Sequence, residues 1–291
     1  MGFRSTYERN WKRLMIFPML FLIFSVGVLY SNYLTTGEFI EKDVSLKGGY
    51  LLTIESSTVI DISELEKRVS EGIGEQVKVR ELKTLGSGKT MGYSFEYGGT
   101  EIDKLIDEVS LSVGPITGKS IEEISSAISE RFWNGTLRAI SVAILAMSGV
   151  VLLYFRLFVP AIAIILSGLS NIFGTLAIMS LAGISISTSG IAAILMLLGY
   201  SIDSNIVLTA RALNRKEMKL EDRIFSAVKT GLTMSITSIV ALLVLFLTSP
   251  AGILKNIAVI LIIGLVLDII NTWIQNAGIL RMYLTRGGKT K

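Results

Sequence analysis

The stretch LGYSIDSNIVLTARALNR, residues 198–215, determines how the rest of the sequence is interpreted. It runs from an apolar segment into a basic one, and Ser201, Asp203, Ser204 and Asn205 lie before the basic part begins. An ionisable side chain inside a membrane helix costs about 3 kcal/mol on insertion scales, so it usually faces protein or water and has a role. The stretch therefore predicts a membrane helix that carries a structural or functional polar cluster.

The composition excludes most soluble classes of protein. The 291 residues are 51% hydrophobic and only 18% charged, with a mean hydropathy of +0.59. The chain has neither cysteine nor histidine, which excludes disulfide frameworks, thiolate sites, histidine-ligated metals and Ser-His triads. It also has no phosphate-binding loop or carboxylate pair at evident spacing. We therefore expect no catalytic centre, no metal and no cofactor.

Six apolar stretches are long enough to cross about 30 Å of hydrocarbon as helices. The first follows a basic start, but it is too long for a signal peptide and has no clear cleavage site, so we interpret it as an anchor. The six predicted spans are Leu14–Leu34, Leu137–Phe155, Ala161–Ala182, Ser187–Ala210, Phe225–Thr248 and Leu254–Leu280.

Charge segregates along the chain in the way that membrane topology predicts. Residues 35–136 hold 18 acidic and 11 basic residues, whereas the rest holds 6 acidic and 17 basic ones. The basic clusters fall on one side if residues 1–13 and the basic tail 281–291 are both cytoplasmic, with the spans of 137–280 between them. The clusters therefore need no nucleic acid, and we expect the cytoplasmic membrane as location. They are Arg4, Arg9, Lys12 and Arg13; Arg156; Arg211, Arg215, Lys216, Lys219 and Arg223; and Arg281, Arg286, Lys289 and Lys291.

Residues 35–133 predict a small extracytoplasmic α+β domain between the first two membrane helices. GYLLTIE (49–55), VKVR (77–80) and MGYSFEYG (91–98) alternate with period two, as half-buried strands do. Apolar residues at helical spacing follow the first and third strands. The order β-α-β-β-α lacks one strand of a ferredoxin-like split βαβ fold, and only a weak signal at 111–117 could supply that strand.

Three capping signatures mark predicted helix starts in this region. Asp61 stands three residues before Glu64, Thr100 before Asp103, and Ser120 before Glu123. The third, with apolar residues at 121, 124, 128 and 132, predicts an amphipathic helix over 120–133 that leads into the second span. A small domain tethered to the membrane at both ends suggests a part that swings or grips. The alternative is a passive cap or docking module.

Two carboxylates lie inside predicted spans. Asp203 is eight residues from Arg211, and Asp268 lies about midway between Lys255 and Arg281. One hypothesis is that both bind or relay protons or cations, and the other is that they only hydrogen-bond between helices. Around Asp268, helical spacing adds Asn271, Thr272 and Gln275 to the same face, and around Asp203 the neighbouring polar residues are Ser201, Ser204 and Asn205.

Several segments resemble the SecD/SecF protein-export family, which is related to the RND transporters. GYSID (199–203) resembles the start of the fourth-span motif of SecF-type members, and SLKGGYLL (45–52) resembles the Gly-Gly stretch after their first span. Residues 227–246 resemble the fifth-span entry, and DIINTWIQNAGIL (268–280) looks like the archaeal form of the sixth span. The resemblance covers nearly the whole chain. Its motif residues here are Gly48, Gly49, Gly199, Tyr200 and Ser201.

The chain departs from the bacterial pattern at two places. Bacterial members have an aspartate implicated in proton flow where this chain has Ser204, and its carboxylate stands one residue earlier, at Asp203. They also tend to have an arginine where this chain has Met234. These departures leave the energy source open, and the sixth-span sequence and the lack of cysteine fit an archaeal protein.

The resemblance implies an α-helical polytopic membrane protein that assists export. Its expected partners are a SecD-like subunit, a SecY-type translocation channel and the translocating polypeptide. Two alternatives stay open: a stand-alone RND-like transporter of small or lipidic solutes, and a scaffold that only stabilises the translocon.

Overall fold

The computed structural model describes residues 3–56, 58–83, 90–114, 116–214, 218–249 and 252–286. The described chain forms a bundle of long helices and a small α/β domain inserted after the first helix. The helices are α1 (Phe3–Thr36), α2 (Val44–Lys47), α3 (Ile62–Ile73), α4 (Ile102–Val113), α5 (Ser126–Phe155), α6 (Phe158–Leu181), α7 (Thr188–Asn214), α8 (Leu220–Thr248), α9 (Gly252–Ile270), a π-helical segment (Asn271–Asn276) and α10 (Ala277–Arg286). The strands are β1 (Gly49–Glu55), β2 (Val77–Lys83), β3 (Thr90–Tyr97) and β4 (Gly118–Ile124).

Six helical stretches among the described residues are long and apolar enough to cross a membrane. This confirms the predicted number of spans. The third, α6, is the most deeply buried of them, and it packs against α1, α7 and α9. The sixth, Gly252–Thr285, runs without a break through α9, the π segment and α10. A polytopic helical membrane protein is therefore the overall architecture.

The small domain is a four-stranded antiparallel sheet in the order β2-β3-β1-β4, with α3 following β1 and α4 following β3. On one face of the sheet, alternate strand residues pack against the apolar faces of α3 and α4. This core includes Leu52, Phe95, Leu65 and Leu105, all buried. The buried Tyr93 hydroxyl donates to the Thr58 carbonyl and so satisfies its polar atom.

Two of the expectations for this domain are wrong. The predicted helix over 120–133 is β4 as far as Ile124, and helix begins only at Ser126. Residues 111–113 belong to α4, so the strand predicted weakly at 111–117 is not there. The fourth strand follows at Gly118–Ile124. In the first case pairing of β4 with β1, in register from Gly49↔Ile124 to Glu55↔Gly118, overrides the local helical pattern.

The capping signatures had different outcomes. Asp61 caps α3 by accepting hydrogen bonds from the amides of Ser63 and Glu64, as predicted. Helix α4 is capped instead at Glu101, whose side chain makes no capping bond, so the predicted cap at Thr100 is wrong. Ser120 lies within β4 and caps nothing.

A short linker fastens the small domain to the bundle. The Asp43 amide donates to the Ile186 carbonyl at 2.9 Å, and the Ile186 amide donates to the Glu41 carbonyl at 2.7 Å, so the linker pairs with the turn between α6 and α7. The Thr188 amide donates to the Ser45 hydroxyl at 3.0 Å. The domain is thus joined to the base of α7 by backbone bonds as well as by the chain itself.

Charged residues of the sheet lie over the same linker. Arg80 pairs with Glu96 at 2.9 Å, and Lys78 pairs with Glu41 at 2.7 Å. Burial raises the pKa of Glu96 above its ordinary value of 4.5, although Arg80 opposes that shift. Burial likewise raises the pKa of Asp43 above 3.8. The junction therefore holds two carboxyl groups whose ionisation is less favourable in the folded chain.

Close helix packing depends on glycine at particular positions. A Cβ at Gly231 of α8 would lie 2.0 Å from Cζ2 of Trp273, and one at Gly264 of α9 would lie 2.3 Å from Cδ2 of Leu197. By contrast, a Cβ at Gly168 of α6 would meet nothing within 4 Å. The first two glycines set the approach of α8 and α9 to their neighbours, and Gly168 does not.

We predict that Gly231→Ala destabilises the bundle by about 1–3 kcal/mol, because the added methyl group forces Trp273 or α8 to move. The matched control is Gly168→Ala, where the same change meets open space and reduces the entropy of the unfolded chain, so stability stays equal or rises slightly. Thermal unfolding of both variants in detergent measures the difference. Equal losses in the two variants would contradict the packing role of Gly231.

We also predict a pH-dependent gain in stability from Glu96→Gln. The pKa of Glu96 is higher in the folded chain than in the unfolded chain. Protonation of Glu96 therefore stabilises the folded chain below about pH 4.5, and this contribution is lost as the pH rises through the pKa of the folded state. Relative to the wild-type chain, the glutamine variant should therefore become more stable between about pH 4 and pH 7. Melting temperatures of both chains across this range test it, and a difference that does not change with pH would contradict it.

Candidate functional site

A buried polar cluster lies where α6, α7 and the sixth span meet. We call it the Asp268 cluster. It contains nine residues that are each at most 5% exposed: Ser170, Asn171, Ser201, Ser204, Asn205, Asp268, Asn271, Thr272 and Gln275. Helix α6 contributes the first two, α7 the next three, and the sixth span the rest. Seven of the nine were predicted as site or motif residues from the sequence, and the structure brings all seven together.

The carboxylate of Asp268 is the centre of this cluster. It is 1% exposed and lies midway along the span Gly252–Thr285. It accepts hydrogen bonds from Nδ2 of Asn171 at 2.7 Å, from Oγ of Ser204 at 2.7 Å and from Oγ1 of Thr272 at 3.1 Å. None of these three donors carries a positive charge. The carboxylate is thus held by neutral donors from three parts of the bundle.

Asn171 connects the three parts of the bundle. Its Nδ2 donates to Asp268 and also lies 2.6 Å from the Ser201 hydroxyl, and its Oδ1 accepts from Asn271 at 2.5 Å. The Asn205 side chain donates to the Ser201 carbonyl, and Gln275 donates to the Ser170 hydroxyl. One amide side chain on α6 therefore contacts both α7 and the sixth span.

The cluster holds spare hydrogen-bond acceptors. Oε1 of Gln275 and Oδ1 of Asn276 are buried, and neither has a hydrogen-bond partner among the described residues. A buried polar atom without a partner costs about 1–3 kcal/mol, and a bound water or ion is one of the ways in which a protein satisfies such an atom. Hydroxyl, amide and carboxylate oxygens in such a group suit a proton or a small monovalent cation. In the described ranges, no three acidic side chains gather as ligands for a metal ion.

The π-helical segment Asn271–Asn276 begins three residues after Asp268. Its i→i+5 bonds make a wider turn than that of a regular α-helix. Asn271, Thr272, Gln275 and Asn276 in this segment are all buried. The sequence predicted the polar face from an α-helical period and could not predict the wider turn. Single-turn π segments occur frequently at functional sites.

Asp203 lies outside the Asp268 cluster. Its side chain is exposed on the outer surface of α7, whereas the adjacent Ser204 is buried against Asp268. The two residues are consecutive, so their side chains point about 100° apart around the helix. The structure does not bring the two aspartates together, and the expectation that the run 201–205 faces helices of this chain or of a SecD-like partner stays a prediction for Asp203.

The remaining motif residues have other positions. Gly199 and Tyr200 are exposed on the same side of α7 as Asp203. Gly48 and Gly49 have φ values of +87° and +132°, and a Cβ at Gly49 would lie 2.3 Å from the Tyr97 carbonyl oxygen. These two glycines are required by the entry into β1, where the backbone has a conformation that other residues rarely adopt.

Sequence analysis missed Asn171 as a site residue. Its signal was present: it is an amide in the apolar run LSGLSNIFG of the third span (166–174). We considered only carboxylates as centres, and the sequence does not show which faces of two spans meet. Asn276 was also missed; it is buried in the π-helical segment, and its Nδ2 donates to Oδ1 of Asn205 at 2.6 Å.

Comparisons with known proteins identify the relatives of this chain. Residues 106–286 match the sequence family described as "Protein export membrane protein SecD/SecF, C-terminal". The protein-export membrane protein SecF of Pyrococcus furiosus is 35% identical, with 96% of this chain and 93% of that protein covered. The SecF of Methanocaldococcus jannaschii is 37% identical, with 84% and 88% covered.

A solved structure shows a similar fold. The crystal structure of SecDF, a translocon-associated membrane protein from Thermus thermophilus, superimposes on 98% of this chain with a TM-score of 0.74 at 17% sequence identity. This chain spans 40% of the length of that SecDF chain, whereas it spans nearly all of its archaeal relatives. Given the family match over most of the chain and the relatives aligned along its whole length, the chain belongs to the SecD/SecF family of protein-export membrane proteins, as a member of the SecF type.

Proposed function

We propose that the chain assists the export of polypeptides across the cytoplasmic membrane together with a SecD-like subunit, beside a SecY-type channel, and that Asp268 couples this work to an ion gradient. The main support for this proposal is the buried carboxylate of Asp268, which accepts three hydrogen bonds from uncharged side chains midway through a span. A carboxylate without a cationic partner at that depth is most stable when it takes up a proton or a small cation.

The protein supports ion exchange at Asp268 in two ways. Donors from α6, α7 and the sixth span hold the charged form, and the hydroxyls of Ser204 and Thr272 can rotate to accept a hydrogen bond from the protonated carboxyl group instead of donating one. The spare acceptors on Gln275 and Asn276 extend the polar region beyond Asp268. Because the donors lie on different helices, loading and unloading of the carboxylate would change the packing of those helices.

The SecD-like partner is supported by the length of the related SecDF chain. This chain accounts for 40% of it, so a second subunit would supply the part that is missing here. The exposed Asp203, Gly199 and Tyr200 lie on one side of α7 and are available for such a subunit. A helix of the partner would keep the Asp203 carboxylate from contact with lipid.

The proposed topology is supported by the distribution of charge. Basic clusters before the first span and after the sixth support cytoplasmic termini, and with these the domain between α1 and α5 would lie on the outer side of the cytoplasmic membrane. We infer that this domain is a ferredoxin-like split βαβ unit, which is supported by its strand order β2-β3-β1-β4. There it would meet the polypeptide as it leaves the channel.

Asp268→Asn should slow export strongly, by about tenfold or more, which corresponds to about 1.4 kcal/mol or more in the limiting step. The amide keeps the size of the carboxyl group but can neither take up a proton nor balance a cation. The measurement is pulse-labelling of a secreted protein in cells depleted of their own SecF-type chain. Release of the protein outside the cell is followed in cells that carry each variant at equal membrane levels.

Asp203→Asn is the matched control, since it makes the same chemical change in another span at an exposed position, and asparagine keeps the size and the hydrogen-bonding oxygen that a partner helix would contact. It should leave release within about twofold of the wild-type chain. If Asp268→Asn restores release fully, Asp268 is a packing residue and the chain acts as a scaffold. If depletion itself does not slow release, the export function fails and a stand-alone transporter becomes the leading alternative.

A further inference from the structure

Strand β4 is held in the small domain by one neighbour. It lies at the outer edge of the sheet and pairs with β1 alone, through seven residue pairs. Its five central residues are all exposed, including the apolar Ile121 at 41%. The chain therefore fixes β4 mainly by backbone hydrogen bonds to β1, with little burial of its side chains.

The local sequence of β4 favours a helix. Lys119, Ser120, Glu122 and Glu123 are residue types that are uncommon in strands. Ser120 and Glu123 have the spacing of a capping box, and acidic residues in a first helical turn are stabilised by the helix dipole. Local preference and observed structure therefore conflict in β4.

Helix α5, which follows β4, can be extended at its N-terminus. Helix α5 begins at Ser126 with Ser125 as N-cap, and that side chain makes no capping hydrogen bond. If β4 became helical, Ile121 and Ile124 would continue the apolar stripe of Ile128 and Phe132, which are now 68% and 45% exposed. A helix that began with Ser120 as N-cap, five residues before Ser125, would therefore have a capping box and a longer apolar stripe.

Release of β4 would uncover the edge of β1. In β1 the residues Leu52 and Ile54 are buried in the domain core, and the strand has the alternating pattern that β4 lacks. In the sheet, Ile121 lies opposite Leu52 on the same face. A replacement strand would therefore need an extended backbone and an apolar residue at the position of Ile121. An unfolded polypeptide in transit supplies both.

We propose that β4 is a releasable strand, which leaves β1 to extend α5 and so opens the β1 edge to an extended segment of a translocating polypeptide. This inference rests on the proposed function for the identity of the bound polypeptide. It also gives α5 a role, because α5 is one continuous helix from the base of the domain into the membrane and packs against α6 and α7. Movement of helices around Asp268 would reach β4 through α5.

The first test measures the conformation of β4 with two spin labels. Because the chain has no natural cysteine, Lys119→Cys with Glu123→Cys places labels only at these exposed positions. Four residues span about 13 Å in a strand and about 6 Å in a helix. The probe is a peptide that copies residues 118–124 with threonine in place of Glu122 and Glu123, which favours a strand. Its addition should shift the label separation from the long to the short distance.

A control peptide has proline at the positions of Ser120 and Glu122, which lie opposite Thr53 and Leu51 of β1, so it cannot donate those backbone hydrogen bonds. It should leave the label separation unchanged. A separation that stays at the strand distance with the threonine peptide present overturns the proposal.

The second test locks the strand. Thr53 lies directly opposite Ser120 of β4 and directly opposite Ser94 of β3. Thr53→Cys with Ser120→Cys, once oxidised, joins β1 to the strand proposed to leave. Thr53→Cys with Ser94→Cys joins β1 to a strand that stays. Mass spectrometry verifies each disulfide, and the anisotropy of the fluorescently labelled threonine peptide measures its binding to the full chain in detergent.

The wild-type chain, both reduced variants and the oxidised β1–β3 variant should bind the peptide, whereas the oxidised β1–β4 variant should lose at least about tenfold in affinity. Equal binding by the two oxidised variants, or no binding by the wild-type chain, overturns the proposal. Neither test measures export. Failure here would leave the export function standing, and failure of the Asp268 experiment would leave the releasable strand standing.

Discussion

The structure of the bundle depends on satisfying the hydrogen bonds of one carboxyl group that is buried inside it. Asp268 is buried midway along an apolar span, where an unpaired carboxylate would be costly. Its hydrogen bonds must come from protein, and they reach only about 3 Å, so α6, α7 and the sixth span have to approach each other at this depth. Glycines at the contacts make that approach geometrically feasible, as at Gly264 against Leu197. The close packing of these three helices and the hydrogen bonding of Asp268 therefore depend on each other.

The sequence predicted the parts of the fold that repeat along the chain. The six spans, the strands around Tyr50, Val77 and Tyr93, and the polar face beginning at Asp268 all follow from period and composition. It did not show which of two adjacent residues in α7 faces inward, because Asp203 and Ser204 differ only by their angle around the helix. It also did not show that Asn171 of α6 faces the same point, since contacts between spans leave no regular pattern in the sequence.

The error at residues 118–124 has a different origin. Here the local signals were interpreted correctly as helical, and a tertiary interaction overrides them, because pairing with β1 satisfies the backbone of an edge strand. Most errors of sequence interpretation come from weak signals. This one comes from a strong signal that opposes the observed structure, and such conflicts tend to occur where a protein has a functional reason to tolerate them.

The π segment has a mechanical consequence for the end of the chain. A wide turn holds one more residue than a regular turn, so the helix after it is rotated by about 100° relative to an unbroken α-helix. If Asn271–Asn276 tightened to α geometry, α10 would rotate about its own axis by the same angle. Arg281, whose guanidinium carbon lies 6.0 Å from the Trp11 ring of α1, would turn with it. The sixth span can therefore transmit a change at Asp268 to the first span through rotation of α10.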